Sequence, residues 1–135
     1  MANWYGTARS NYFRVKDADK FKAWVESIQG LGMWERTNEP GLFGIYSDDG
    51  DSGGWPSWRP DDPEDEEVDL VGELVEHLAE GEVAILMEAG AEKLRYISGY
   101  AIAVNHKGEQ ISVSLADIYQ LARATWGIEP TDASY

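Results

Sequence analysis

The chain has 135 residues and no cysteine, which excludes disulfides, thiolate metal sites and cysteine nucleophiles. Its 25 acidic and 11 basic side chains give a net charge of −14, so it should be repelled by nucleic acid and anionic lipid and attracted to basic proteins. The polar start at residues 1–11 and the absence of any apolar run near 18 residues predict a cytoplasmic protein with no membrane contact.

The first third of the chain predicts a strand, a helix and a hairpin. Residues 11–15 are rich in aromatic and β-branched side chains, which favour a strand. Asp17 is placed to cap a helix whose apolar side chains recur at intervals of three and four: Phe21, Trp24, Val25 and Ile28. Residues 31–36 and 42–47 then predict two strands joined by a turn at 38–41.

The middle of the chain predicts an irregular loop and a second helix. Residues 48–63 include prolines 56, 60 and 63 and several glycines, so regular structure is excluded there. From Val68 to a stop at Gly81, an apolar stripe predicts a helix: Val68, Val71, Leu74, Val75 and Leu78.

The last third predicts three strands and a helix. Apolar residues fill 83–88, and residues 94–104 form a long strand pattern with a bulge expected at Gly99. A turn at 105–108 leads into a strand at 110–113. Ser114 and Asp117 suggest a cap for the third helix, whose apolar face holds Leu115, Ile118, Tyr119 and Ala122, and the tail from about 128 should fray.

These elements predict one α+β domain over residues 1–135, in the order βαββαβββα. We expect a mostly antiparallel sheet with helices on one face, ferredoxin-like in its first six elements. The predicted core is Phe21, Trp24, Val25, Ile28, Val71, Leu74, Leu78, Val83, Ile85, Ile102, Val104, Ile118 and Leu121.

An acidic segment, residues 48–80, holds 13 of the 25 acids, opposed only by Arg59. One interpretation is a solvated surface, in which acids near the start of the second helix favour its dipole. The other is a binding surface, in which Glu73, Glu76 and Glu80 line one helix face and stand in for phosphates. The acids are Asp48, Asp49, Asp51, Asp61, Asp62, Glu64, Asp65, Glu66, Glu67, Asp69, Glu73, Glu76 and Glu80.

Two tryptophans, Trp55 and Trp58, lie in the polar loop of this segment. They are either lids folded over the core or an exposed aromatic contact with an acidic rim. The partner-binding set that we predict joins both tryptophans to the acids of the segment other than Asp69.

Signals for metal or catalytic chemistry are weak, so we expect no metal, no cofactor and no enzyme activity. The run at 48–51 fails the EF-hand spacing, because a loop starting at Asp49 puts a proline at its twelfth position. His77 and His106 have no second histidine at ligand spacing. A pocket on the sheet face, lined by Arg95, Tyr96 and Tyr100, stays open as an alternative.

Residues 11–28 (NYFRVKDADKFKAWVESI) and 81–119 (beginning GEVAILMEAGAEKLRYISGY) resemble small acidic proteins carried by bacterial phages and plasmids. The resemblance implies a non-enzymatic inhibitor of the anti-CRISPR or antirestriction type, a DNA mimic that occupies the nucleic-acid channel of a basic host defence protein. It carries over no site residue. The alternatives are a housekeeping or scaffold protein of the mobile element, and a small enzyme or ligand-binding domain.

Overall fold

The computed structural model describes residues 4–48, 54–60, 67–92 and 96–133. Within them the fold is α+β, as predicted, with three helices and one seven-stranded antiparallel sheet. The elements are β1 (Trp4–Ser10), β2 (Phe13–Arg14), α1 (Ala18–Glu26), β3 (Leu31–Glu35), β4 (Leu42–Ser47), α2 (Leu70–Val75), β5 (Val83–Glu92), β6 (Tyr96–Asn105), β7 (Gln110–Ser114) and α3 (Asp117–Trp126).

The sheet runs from β4 through β1, β5 and β6 to β7, with β2 and β3 also paired to β4. Phe43 of β4 is opposite both Phe13 of β2 and Glu35 of β3, so β2 and β3 lie on opposite sides of β4. All pairings of the described strands are antiparallel. From β5 the neighbouring strands run β5–β1–β4–β3, an order compatible with the ferredoxin-like expectation, because a split βαβ unit inserts a third, antiparallel strand between the two that its helix joins.

β1 is a central strand that the sequence pattern did not reveal. It pairs with β5 along its whole length and meets β4 at Arg9. Its inward positions carry Ala8 and Ser10, both buried, and the Ser10 hydroxyl accepts a bond from the Ile45 N–H at 2.8 Å. Small and polar residues at inward positions hide the alternation that identifies most strands.

α1 begins where its cap predicts. The Asp17 carboxylate accepts bonds from the backbone N–H groups of Asp19 and Lys20 at 3.0 and 3.2 Å. Phe21, Trp24 and Val25 are buried, as the helical spacing predicts.

The core lies between one face of the sheet and the helices α1 and α2. Its fully buried side chains come from β2, β4, β5 and β6 as well as both helices. Of the predicted core, seven residues are buried: Phe21, Trp24, Val25, Ile28, Leu74, Leu78 and Val104. Val71, Ile85 and Ile102 are half-buried.

The core prediction is wrong at three positions and in the facing of β5. Ala84 and Leu86 point into the core, whereas Val83 is 46% exposed. Every position of β5 from 83 to 87 is apolar, so the sequence alternation cannot choose the face, which is set by the packing of Ala84 and Leu86 into the core cluster. Ile118 and Leu121 are also exposed, because α3 buries none of its residues.

Two local predictions, a bulge at Gly99 and a cap of α3 at Ser114, are also wrong. Gly99 pairs in continuous register with Ala89, so no bulge forms there. A Cβ at Gly99 would stand 3.3 Å from both the Leu115 side chain and the Glu88 carbonyl oxygen, so glycine permits closer packing at this position. Ser114 ends β7 and does not cap α3, although the Asp117 carboxylate accepts its N–H at 2.7 Å. None of the helices in the described ranges is long and apolar enough to cross a membrane.

Candidate functional site

The acidic segment falls partly outside the described residues. Its described acids are Asp48, Glu67, Asp69, Glu73, Glu76 and Glu80. The other predicted contacts, which lie outside the described residues, are Asp49, Asp51, Asp61, Asp62, Glu64, Asp65 and Glu66.

The second helix is much shorter than predicted, and the row of acids along it does not form. α2 ends at Val75, with Glu76 at its C-cap, and Leu78 makes an isolated bridge with Val15. The backbone beyond it bonds to β2 and its flank, from Lys16 N–H to His77 C=O and from Ala79 N–H to Arg14 C=O. Sheet-like bonding therefore replaces the last helical turn.

The local sequence favours this early end. Carboxylates at a helix C-terminus face the negative end of the helix dipole, and the last turn of α2 contains no basic residue. Gly72 and two valines also lower its helix propensity. Glu73 lies inside α2, Glu76 caps it and Glu80 lies beyond it, so these three do not form a helical stripe.

Glu73 is engaged inside the molecule. Its Oε1 accepts a bond from the Trp24 indole N–H at 2.8 Å and from the Arg59 guanidinium at 2.6 Å. Arg59 Nε also donates to the Ser27 hydroxyl at 3.2 Å. This cluster joins α1, α2 and the loop at 54–60 that carries both tryptophans. Its base, Arg59, is the only Lys or Arg of the acidic segment. The sequence pattern gave no indication of this cluster.

Asp69 caps α2. Its carboxylate accepts the Gly72 N–H at 3.1 Å, which satisfies one of the free donors at the helix start. A Cβ at Gly72 would meet the Asp69 carboxylate in its present position, so a larger residue there would make the Asp69 side chain shift.

Apart from Asp69, which is exposed but caps α2, four described acids of the segment are exposed, and we call these four the exposed acids: Asp48, Glu67, Glu76 and Glu80. The ion pairs within the described part of the chain are Arg36–Glu39, Arg59–Glu73 and Arg123–Glu129, so none of the four takes part in one. Their charge is therefore not neutralised by a nearby described base.

The two tryptophans of the loop have different environments. Trp55 is half-buried and packs against the core, as the lid interpretation predicts, and its backbone N–H donates to Glu88 Oε1 at 2.9 Å. Its indole Nε1 is buried without a hydrogen-bond partner. Trp58 is 46% exposed, and its C=O accepts the Gln29 N–H at 3.0 Å. The loop is thus held against α1 while one tryptophan faces water.

A cavity of about 390 Å³ opens beside Trp55, between the loop, the start of α2 and the sheet. Tyr100 and Leu86 line its sheet side. Burial, together with the charge of Glu88 and a hydrogen bond to it, raises the pKa of Tyr100. Tyr100 therefore lines a pocket on the sheet face, as the alternative of a sheet-face pocket predicts. The other two residues of that prediction, Arg95 and the side chain of Tyr96, lie outside the described part of the structure.

The histidines take structural positions. The His77 ring packs 5.1 Å from the Trp24 ring, and burial lowers its pKa against the opposing effect of Glu76 and Glu73. His106 Nδ1 accepts the Gly81 N–H at 3.1 Å. In the described ranges, no three histidine or carboxylate side chains are grouped as metal ligands.

No protein-family model matches the chain, and comparisons with curated proteins and with solved structures give no match either.

Proposed function

We propose that this chain is a non-enzymatic binding protein of a mobile genetic element, which attaches through its acidic segment to a basic, nucleic-acid-binding host defence protein and inhibits it. The observation that supports this proposal is the position of Arg59, the only Lys or Arg in the segment. Arg59 is engaged by Glu73, so the exposed acids keep their full charge.

The fold limits the way in which the acids could mimic the phosphates of a nucleic acid. Because α2 ends at Val75, the acids cannot copy the regular phosphate spacing along one helix. The exposed acids instead project from the end of β4, the entry to α2 and the turn after it. Such an arrangement offers a field of negative charge to a basic channel, where electrostatic attraction raises the association rate and fixes orientation.

The test uses the chain as bait in a bacterial lysate, with captured proteins identified by mass spectrometry and then purified. Excess duplex DNA should displace the bait from its target, because both occupy the same basic site. Rising salt should weaken the complex in the same way that it weakens nucleic-acid binding.

The decisive variant neutralises the exposed acids together: Asp48→Asn, Glu67→Gln, Glu76→Gln and Glu80→Gln. Glu73 and Asp69 are kept, because both hold the fold together. The control removes the same charge from exposed positions elsewhere: Glu26→Gln, Glu39→Gln, Glu109→Gln and Asp132→Asn. We expect the first variant to lose at least tenfold in affinity and the control to lose far less.

Equal losses in the two variants would mean that only net charge matters and would reject a localised contact. A target without a nucleic-acid site, or an affinity independent of salt, would reject mimicry.

A ligand-binding function is the second candidate, and the cavity beside Trp55 supports it. Its volume of about 390 Å³ falls in the range of small-molecule sites, and the unpaired Trp55 indole N–H would favour a ligand carrying an acceptor. A thermal-shift screen of small molecules checks it. A hit that raises the melting temperature of the wild type but not of Tyr100→Ala would favour this candidate over the first.

A further inference from the structure

The outer face of the sheet, away from α1 and α2, carries no charge over its last three strands. We define the outer face as the odd-numbered residues of β5, β6 and β7, which the strand register places side by side. All are apolar or glycine except Asn105, in a chain with 27% charged residues. The even-numbered residues of the same strands include Glu88, Tyr100 and Ser112.

No layer formed by the described residues covers this face. None of its described residues is buried, and Met87, Ile111 and Val113 are 55, 76 and 64% exposed. Antiparallel sheets that face water on one side alternate apolar and polar residues, so a water-facing side should be polar. An apolar outer face therefore indicates that another surface packs on it.

The same chain also carries an apolar helix, α3, that the described part of the structure leaves exposed. Ile118, Leu121 and Trp126 of α3 are 60, 58 and 73% exposed, and none of its ten residues is buried. Only Leu115 and Ala116 separate β7 from α3, which keeps the helix beside its own edge strand. The side chain of Leu115 lies next to Gly99 of the outer face.

We propose that a second copy of this chain covers the outer face, each copy placing its α3 on the β5–β7 face of the other around a two-fold axis. One symmetric contact then buries both uncovered surfaces at once, which is how isologous dimers form.

The exposed apolar area and the distribution of acidic residues favour a second copy of the chain as the occupant. The exposed large apolar side chains of the outer face and α3 together present on the order of 1,000 Å², near the ~800 Å² per partner of a stable interface. The outer face carries no acid, and α3 carries one, Asp117, whose carboxylate accepts the Ser114 N–H of its own chain, whereas 13 of the 25 acids lie in residues 48–80, outside both surfaces.

The test measures the mass of the full chain by light scattering and its association by sedimentation. We expect a dimer of two 15.1-kDa chains. Val113→Lys on the outer face and Ile118→Glu on α3 should each weaken dimerisation at least tenfold, because each homodimer then carries two buried charges. Both positions are exposed in the single chain, so the fold should persist. Ala23→Lys, at an exposed position of α1, is the matched control and should dimerise normally.

Mixing the two variants gives the sharpest outcome. In a mixed dimer both substitutions fall in the same helix-on-face contact with opposite charge, and the second contact is unaltered, so association should recover. Raising salt should strengthen the dimer by screening repulsion between the two acidic copies, the opposite of its effect on the proposed acidic contact. A monomer at about 100 µM, a dimer that neither variant weakens, or no recovery on mixing would overturn the proposal.

Discussion

Removing the Glu73 carboxylate should destabilise the protein, although the charge pattern alone predicts the reverse. Glu73 is one of 13 acids in residues 48–80, so its neutralisation would relieve repulsion if it were a solvated surface residue. The structure instead places its Oε1 between the Trp24 indole and the Arg59 guanidinium.

The magnitude follows from these two contacts. Glu73→Ala leaves the part-buried Trp24 N–H without its acceptor, which costs about 1–2 kcal/mol. The pair with Arg59 is about one-third exposed, so solvent screening limits it to about 1 kcal/mol or less. The free energy of unfolding should therefore fall by about 2 kcal/mol, and the melting temperature by roughly 8 °C for a chain of this size.

The assay is urea unfolding followed by tryptophan fluorescence and circular dichroism. Glu76→Ala is the matched control, because Glu76 is an exposed acid three residues away, and it should change stability by about 0.5 kcal/mol or less. A double-mutant cycle between Glu73→Ala and Arg59→Ala should give a coupling of about 0.5–1 kcal/mol. A Glu73→Ala protein as stable as the wild type, or a coupling of zero, would refute this reasoning.

Three further outcomes are expected. Leu74 is fully buried, so Leu74→Ala should cost about 2–5 kcal/mol in urea unfolding, and an unchanged midpoint would show that α2 does not pack on the core. Burial lowers the pKa of His77, so the folded state favours the neutral imidazole. The stability that the neutral imidazole contributes is complete above about pH 6.5, the ordinary pKa of histidine, and it is lost as the pH falls from there toward the lower pKa of the folded state. The melting temperature should therefore fall less steeply between pH 7.5 and 5 for His77→Gln than for the wild type, and equal slopes for the two proteins would contradict this prediction. At a net charge of −14 the chain should give no gel shift with duplex or single-stranded DNA at physiological salt, and submicromolar binding would overturn the charge argument.

Local signals in the sequence determined a large part of the fold. The Asp17 cap and the spacing from Phe21 to Ile28 placed α1, because both depend on contacts within a few residues. The glycine turns at 41 and 108, both with positive φ, set the two hairpins. The α+β class and the antiparallel sheet followed from these elements.

Only the tertiary structure decided which surfaces are inside. Which face of β5 is buried depended on what packs on it, since Val83 and Ala84 are both apolar and only Ala84 is buried in the core. The length of α2 depended on backbone bonds to Lys16 and Arg14, more than 60 positions earlier in the chain. The candidate site was decided in the same way, because the sequence showed the charge of Glu73 and Arg59 but not that folding would pair them. A local pattern records the preference of a segment, whereas burial and pairing depend on residues that only the folded chain brings together.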